Sequence, residues 1–200
     1  LRIAGIVGYQ STGLSETIVS DGKITVSGTF GCEANVGGLI GLTYATQSDD
    51  RSDADIEISG TFNGGLVVGG LIAITKMGYS GSEYHGTINI TESANIATLC
   101  YIGGAIGNLV DFETKSAYSI SKICNYGDIT MAGATTSTLL IGGCVGSTTL
   151  GDGAKTHSFS NVTNLGNITA SGTSKACYLS GVTHRSTGNA TGLVNGAEND

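Results

Sequence analysis

Charge is scarce in this chain. Only 12% of its 200 residues are charged, and nine Lys and Arg stand singly against sixteen Asp and Glu, for a net charge of −7. Without a basic stripe to displace counterions, nucleic acid is excluded as a partner. Proline and tryptophan are absent. The lack of tryptophan leaves stacking on sugars to tyrosine. No apolar run approaches the roughly 18–20 residues of a membrane span. No basic n-region or apolar h-region opens the chain, so no signal peptide is read. The chain starts inside one repeat and stops inside another, which leads us to expect a single domain, 1–200, cut from a longer protein.

The five cysteines, Cys32, Cys100, Cys124, Cys144 and Cys177, form no CxxC pair and no spacing with histidine that suits a metal. Cys100 and Cys177 each stand two residues before a repeated glycine motif, so a column of buried thiols is expected. The odd number leaves at least one thiol free or paired with another chain.

What the chain has in plenty is glycine, 33 residues, set in a repeating frame. VGGLIG at 36–41 returns as VGGLIA at 68–73, IGGAIG at 102–107 and IGGCVG at 141–146, with looser copies IAGIVG at 3–8 and LSGVTH at 179–184. Starts at 3, 36, 68, 102, 141 and 179 give spacings of 33, 32, 34, 39 and 38. A second element follows each of the first five: DGKITVSGTF, DADIEISGTF, YHGTINITES, NYGDITMAGA and NLGNITASGT. In it Ile24 and Val26, Ile56 and Ile58, Ile88 and Ile90, Ile129 and Met131, and Ile168 and Ala170 alternate with polar residues. That is a strand with one wet side. Later repeats add a third run, YSISKI at 118–123 and HSFSNV at 157–162. No amphipathic helix is apparent. A repeat of this length with strand patterning predicts an all-β fold, a parallel β-helix or β-solenoid of about five to six coils.

The third position of the motif is glycine in every copy: Gly5, Gly38, Gly70, Gly104, Gly143 and Gly181. Glycine weakens a strand, and a lone one marks a bend or a close backbone approach. Repeated in register it becomes a column, a corner or narrow waist shared by stacked coils. The fourth position is apolar: Ile6, Leu39, Leu71, Ala105, Cys144 and Val182. A bare ridge of this kind is rare. Either the bend turns it inward, or the following segments cross it, or a partner covers it. Those segments, among them 42–54 and 74–86, vary from repeat to repeat and are expected to be loops on a binding edge.

The repeats resemble the GLUG-type glycine-rich repeats of bacterial surface proteins. KICNYGDIT at 122–130 and NVTNLGNIT at 161–169 are similar to repeats in adhesin-like proteins of gut Bacteroidetes, whereas the first three repeats lack the N-x-G turn. The resemblance implies a β-solenoid stalk or adhesin-like module outside the cell or on its surface, attached to the outer membrane through segments outside this chain. It implies flanking domains as partners, with a glycan or host protein as ligand, and no cofactor or catalytic residue.

Other candidates come from the residues themselves. Asp49, Asp50, Asp53 and Asp55 cluster in SDDRSDAD, where carboxylates could gather around Ca²⁺ or simply form a solvated acidic loop. Tyr79, Tyr84, Tyr118 and Tyr126 lie in or beside the variable segments and are candidates for stacking on a sugar, or for packing. His85, His157 and His184 fall in turns without a nucleophile beside them. A polysaccharide-degrading β-helix enzyme needs paired carboxylates in one groove, and here acids are spread along the repeats. A non-enzymatic surface module is therefore the favoured reading, with that enzyme and a pure spacer as alternatives.

Overall fold

The computed structural model describes residues 1–12, 18–111, 118–150, 157–183 and 190–196. None of these residues is helical, so no described helix is long and apolar enough to cross a membrane. The chain is all-β, and each repeat lays one short strand into each of up to five sheets, every pairing being parallel.

Sheet 1 holds Arg2–Ala4, Ala34–Gly37, Leu66–Gly69, Cys100–Gly103, Thr138–Gly142 and Ala176–Ser180. Sheet 2 holds Ile40–Thr43, Ile72–Thr75, Ile106–Asp111 and Val145–Leu150. Sheet 3 is built on Val19–Ser20, Arg51–Ser52, Tyr79–Tyr84, Ser119–Asn125, Ser158–Asn164 and Ala190–Asn195. Sheet 4 contains Lys23–Val26, Asp55–Ile58, Ile88–Ile90, Ile129–Met131 and Ile168–Ala170, and sheet 5 contains Thr29–Phe30, Thr61–Phe62, Asn95–Ile96 and Ala134–Thr135.

The register follows the sequence repeat. Ile3, Val36, Val68, Ile102, Ile141 and Leu179 form one column of sheet 1. Ile24, Ile56, Ile88, Ile129 and Ile168 form one column of sheet 4, two residues from a second column of Val26, Ile58, Ile90, Met131 and Ala170. Inward columns from the sheets meet in one core, in which Val36, Ile58, Leu71 and Ile102 are fully buried. Phe30 stacks on Phe62, 5.0 Å between centroids, where sheet 5 closes the core.

Several sequence expectations need correction. The second element is two strands, because Gly28 and Gly60, at φ 141° and 95°, turn the chain before the TF dipeptides. The segments 42–54 and 74–86 contribute strands to sheets 2 and 3, close to half of the first and most of the second. Their pairing escapes a period-two reading because, from the second repeat on, each sheet 3 segment carries one left-handed residue, inside the strand or, at Asp49, between two short strands. Asp49, Gly81, Lys122, Asn161 and Gly192 all have φ between 53° and 65° and occupy one register level. One residue per segment is thereby taken out of the alternation, as in a bulge. Cys100 and Cys177 do not stack on each other, since Leu139 lies between them; Cys100 is buried and Cys177 exposed. Burial pushes the Cys100 thiol up to about 12. All five cysteines are free thiols.

Candidate functional site

The glycine motif makes a re-entrant corner between sheets 1 and 2. In VGGLIG the first residue, Val36, points inward and Gly37 points outward at the end of its strand. Gly38 and Leu39 make the bend, and Ile40 resumes inward as sheet 2 begins. A Cβ on Gly38 would collide with the Gly70 carbonyl of the next repeat and with Ser52 Oγ across the core. The same level of sheet 3 supplies Ser20, Ser52, Tyr84, Asn125, Asn164 and Asn195 in register. These are the side chains against which Gly5, Gly38, Gly70, Gly104, Gly143 and Gly181 fit. The bend turns the fourth position inward, as the first of the three alternatives has it. Leu39, Leu71, Ala105 and Cys144 are fully buried, Val182 nearly so, and Ile6 in the first repeat is exposed.

A second glycine pair lies on the outer side of the corner. A Cβ on Gly37 would strike the Ile40 carbonyl, and one on Gly103 would strike that of Ile106 and approach Gly146 N within 2.6 Å. Outward glycines at the second and sixth motif positions therefore let the outer faces of sheets 1 and 2 close on each other in a crease. Beyond the crease the two faces open into a groove of about 410 Å³.

Outward residues of both sheets line this groove. Sheet 1 contributes Arg2, Asn35 and Tyr101 from a register column that also contains Val67 and Leu140. Sheet 2 contributes Leu42, Ile74 and Asn108, one column in register, with Tyr44, Lys76 and Val110 beyond. The floor is apolar and dry: Leu42 and Val110 are 5% and 6% exposed. Two amides interrupt it. Asn108 Oδ1 accepts a bond from Thr149 Oγ1 at 3.2 Å. Asn35 is 7% exposed, and its Oδ1 has no hydrogen-bond partner. A buried acceptor in that state costs about 1–3 kcal/mol.

At one end of the groove cations lie on aromatic rings. Lys76 Nζ donates to Tyr44 OH at 2.6 Å and lies 4.3 Å from the ring centroid. Arg2 covers Tyr9, which meets Tyr44 edge-on at 5.9 Å. Burial, and then Glu33, raise the pKa of the Tyr101 phenol, which is a hydrogen-bond donor at neutral pH like any tyrosine. A second hollow of about 360 Å³ lies against Leu179 and Asn195, where core columns reach the last described strands.

The tyrosines expected to stack on a ligand are mostly inside. Tyr79 and Tyr84 are fully buried, their hydroxyls donating to Asp50 Oδ2 at 2.8 Å and to the Ala54 carbonyl at 3.0 Å. Tyr118 is 8% exposed and stacks on buried His157. The alternation broken at the left-handed residue is what hid their inward direction. Tyr126 is exposed but lies stacked on His85 outside the groove.

The four aspartates do not converge either. Asp50 is buried, accepting bonds from Ile18 N–H and Tyr79, which corrects the solvated-loop reading at that residue. Asp53 pairs with Arg51 at 3.0 Å, Asp55 accepts from Thr87 N–H and Oγ1, and Asp49 holds the exposed left-handed position. Among the described residues no group of three or more His, Cys, Asp or Glu is placed to hold a metal ion. His184 lies outside the described residues.

Asn35, Tyr44, Tyr101 and Asn108 were missed as site residues. A signal for them was present: Asn35 and Tyr101 immediately precede the first position of the motif, and the motif's second and sixth glycines mark the face they share. No family model matches the chain, and no curated protein or solved structure matches it.

Proposed function

We propose that the chain winds as a parallel β-solenoid of about five to six coils and acts as a non-enzymatic, adhesin-like recognition module at a cell surface, with its ligand in the groove between sheets 1 and 2. The observation that carries this reading is the buried, unpartnered Asn35 Oδ1 in the groove wall, with half-buried Tyr101 two strands along the same wall and an apolar floor. Ligand sites combine mostly apolar walls with a few placed polar groups, and an acceptor kept dry without a donor is satisfied when a ligand brings one. Repeats similar to GLUG-type surface repeats support the cell-surface part of the reading.

The two alternatives fit the groove less well. A polysaccharide-degrading enzyme needs two carboxylates flanking the scissile bond, and among the described residues the groove is lined by one, Glu33. A spacer has no use for a desolvated, unpartnered amide in a groove wall. Probing an array of glycans and matrix proteins with the chain and with its Tyr101→Ala variant tests the proposal. A hit lost in the variant supports a recognition module. A folded chain that binds nothing favours the spacer.

A further inference from the structure

The groove has a chemistry more specific than recognition in general. Its backbone is already committed: each lining strand exchanges N–H and C=O with equivalent strands of neighbouring repeats. An extended peptide carries a donor and an acceptor on every residue and would find few partners for them here. The groups left for a ligand are side-chain ones, the amide of Asn35, the phenol of Tyr101, and the apolar surface of half-buried Ile74 with the small parts of Leu42 and Val110 that stay exposed.

Charge narrows the class again. The two cations of the groove, Arg2 and Lys76, lie on the rings of Tyr9 and Tyr44, and Glu33 stands in the same lining. The chain as a whole carries −7. The overall field opposes a polyanion, and the two groove cations, partly offset by Glu33, are already engaged on tyrosine rings.

Resting on the recognition reading above, we infer that the groove binds an uncharged, linear oligosaccharide. The C–H faces of its rings lie on Tyr101 and the aliphatic floor. A sugar hydroxyl or amide N–H donates to Asn35 Oδ1 once the side chain turns that oxygen, which has almost no exposed surface in the free chain, into the groove, and the outward hydroxyls stay in water, where they keep their own bonds. The lining runs from Arg2 in the first repeat to Thr149 in the fifth. Four steps of about 4.8 Å make a track of roughly 19 Å. Each step is close to the length of one pyranose ring, so the track holds about four rings.

The test is calorimetric titration of the whole chain with unbranched neutral oligosaccharides, disaccharide to hexasaccharide, from β-glucan, chitin, xylan and mannan. A polygalacturonate oligomer and an uncharged peptide of similar length complete the set. One neutral series is expected to bind, with affinity climbing to about four rings and then levelling. Tyr101→Ala and Asn35→Leu are each expected to weaken it about tenfold, while Tyr101→Phe retains most of the binding. Tyr126→Ala, outside the groove, leaves it unchanged. Circular dichroism melting checks that each variant is folded.

Tighter, Tyr101-dependent binding of the polyanion or the peptide would overturn the sugar class and leave the recognition module standing. Neutral binding indifferent to both Tyr101 and Asn35 would overturn the groove. Release of shorter sugars would overturn the non-enzymatic reading itself. A folded chain that binds none of these probes overturns the inference.

Discussion

At the scale of single residues, glycine does two separate jobs within one hexapeptide. The third-position glycine lets the chain turn against the sheet 3 side chain opposite, as Gly70 does against Tyr84. The second-position glycine lets two outer faces meet, as Gly103 does against Ile106. Only the first job was legible in the sequence, because recurrence shows that a column exists and not which way it faces. Gly103→Ala forces a methyl onto a carbonyl in a fixed ladder and is expected to cost about 3 kcal/mol. Gly31→Ala, with nothing within 4 Å of the new methyl, is expected to stay within about 0.5 kcal/mol. Equal shifts in urea midpoint for the two variants would contradict the crease. Asp50 makes a prediction in pH. Burial raises its pKa, against the opposing bonds from Ile18 N–H and Tyr79 OH. Its folded value lies above its unfolded one, so between the two the folded state holds the extra proton and stability falls as pH rises. Above the folded value the burden of the buried carboxylate is present in full. Acidification from there into the ordinary carboxylate range relieves it. Asp50→Asn is expected to flatten this part of the stability profile, measured by urea midpoints across mildly acidic pH, and an unchanged slope would contradict the assignment.

Among elements, legibility depended on unbroken periodicity. The sheet 4 strands were readable because Ile56, Glu57 and Ile58 alternate without interruption, and their register follows the repeat. Sheet 3 was hidden in its early members, because a left-handed residue such as Asp49 or Gly81 shifts the alternation within the segment. The fifth sheet was hidden for another reason: two-residue strands such as Thr61–Phe62 are too short to show a period. The N-x-G turn was visible, and its function is physical. Asn125 Nδ2 donates to the Gly127 carbonyl at 2.9 Å and to Asn164 Oδ1 at 2.7 Å, and Asn164 repeats both bonds to Gly166 and Asn195. Asn164→Ala cuts this ladder in its middle and leaves buried groups unpaired, at an expected cost of about 2 kcal/mol. Asn164→Ser is expected to cost less, since Ser20 and Ser52 stand at the same level in earlier repeats. Equal costs for Ala and Ser in thermal melts would show that the hydroxyl cannot serve there.

The whole molecule behaves as a stack of in-register units, each touching its neighbours through parallel ladders. Gly69 and Gly103 pair directly, so removing residues 70–103 joins equivalent points of two repeats. That deletion is expected to leave a folded β-rich chain with a cooperative melt, whereas removing half that length throws every later strand out of register and is expected to unfold it. Circular dichroism distinguishes the two, and a folded half-length deletion would contradict the unit. The same stacking turns isolated outward residues into a continuous groove, which is why Asn35 and Tyr101, far apart in sequence, belong to one wall. The most direct measurement is an NMR titration following the Asn35 side-chain amide, using the neutral oligosaccharide that binds in the calorimetric series. A saturable shift at Asn35, accompanied by Tyr101 and Leu42 and absent at Tyr126 and Asp53, is the expected result. Shifts confined to the outer face of sheet 3 or to the last strands, with Asn35 unmoved, would contradict the proposed ligand groove.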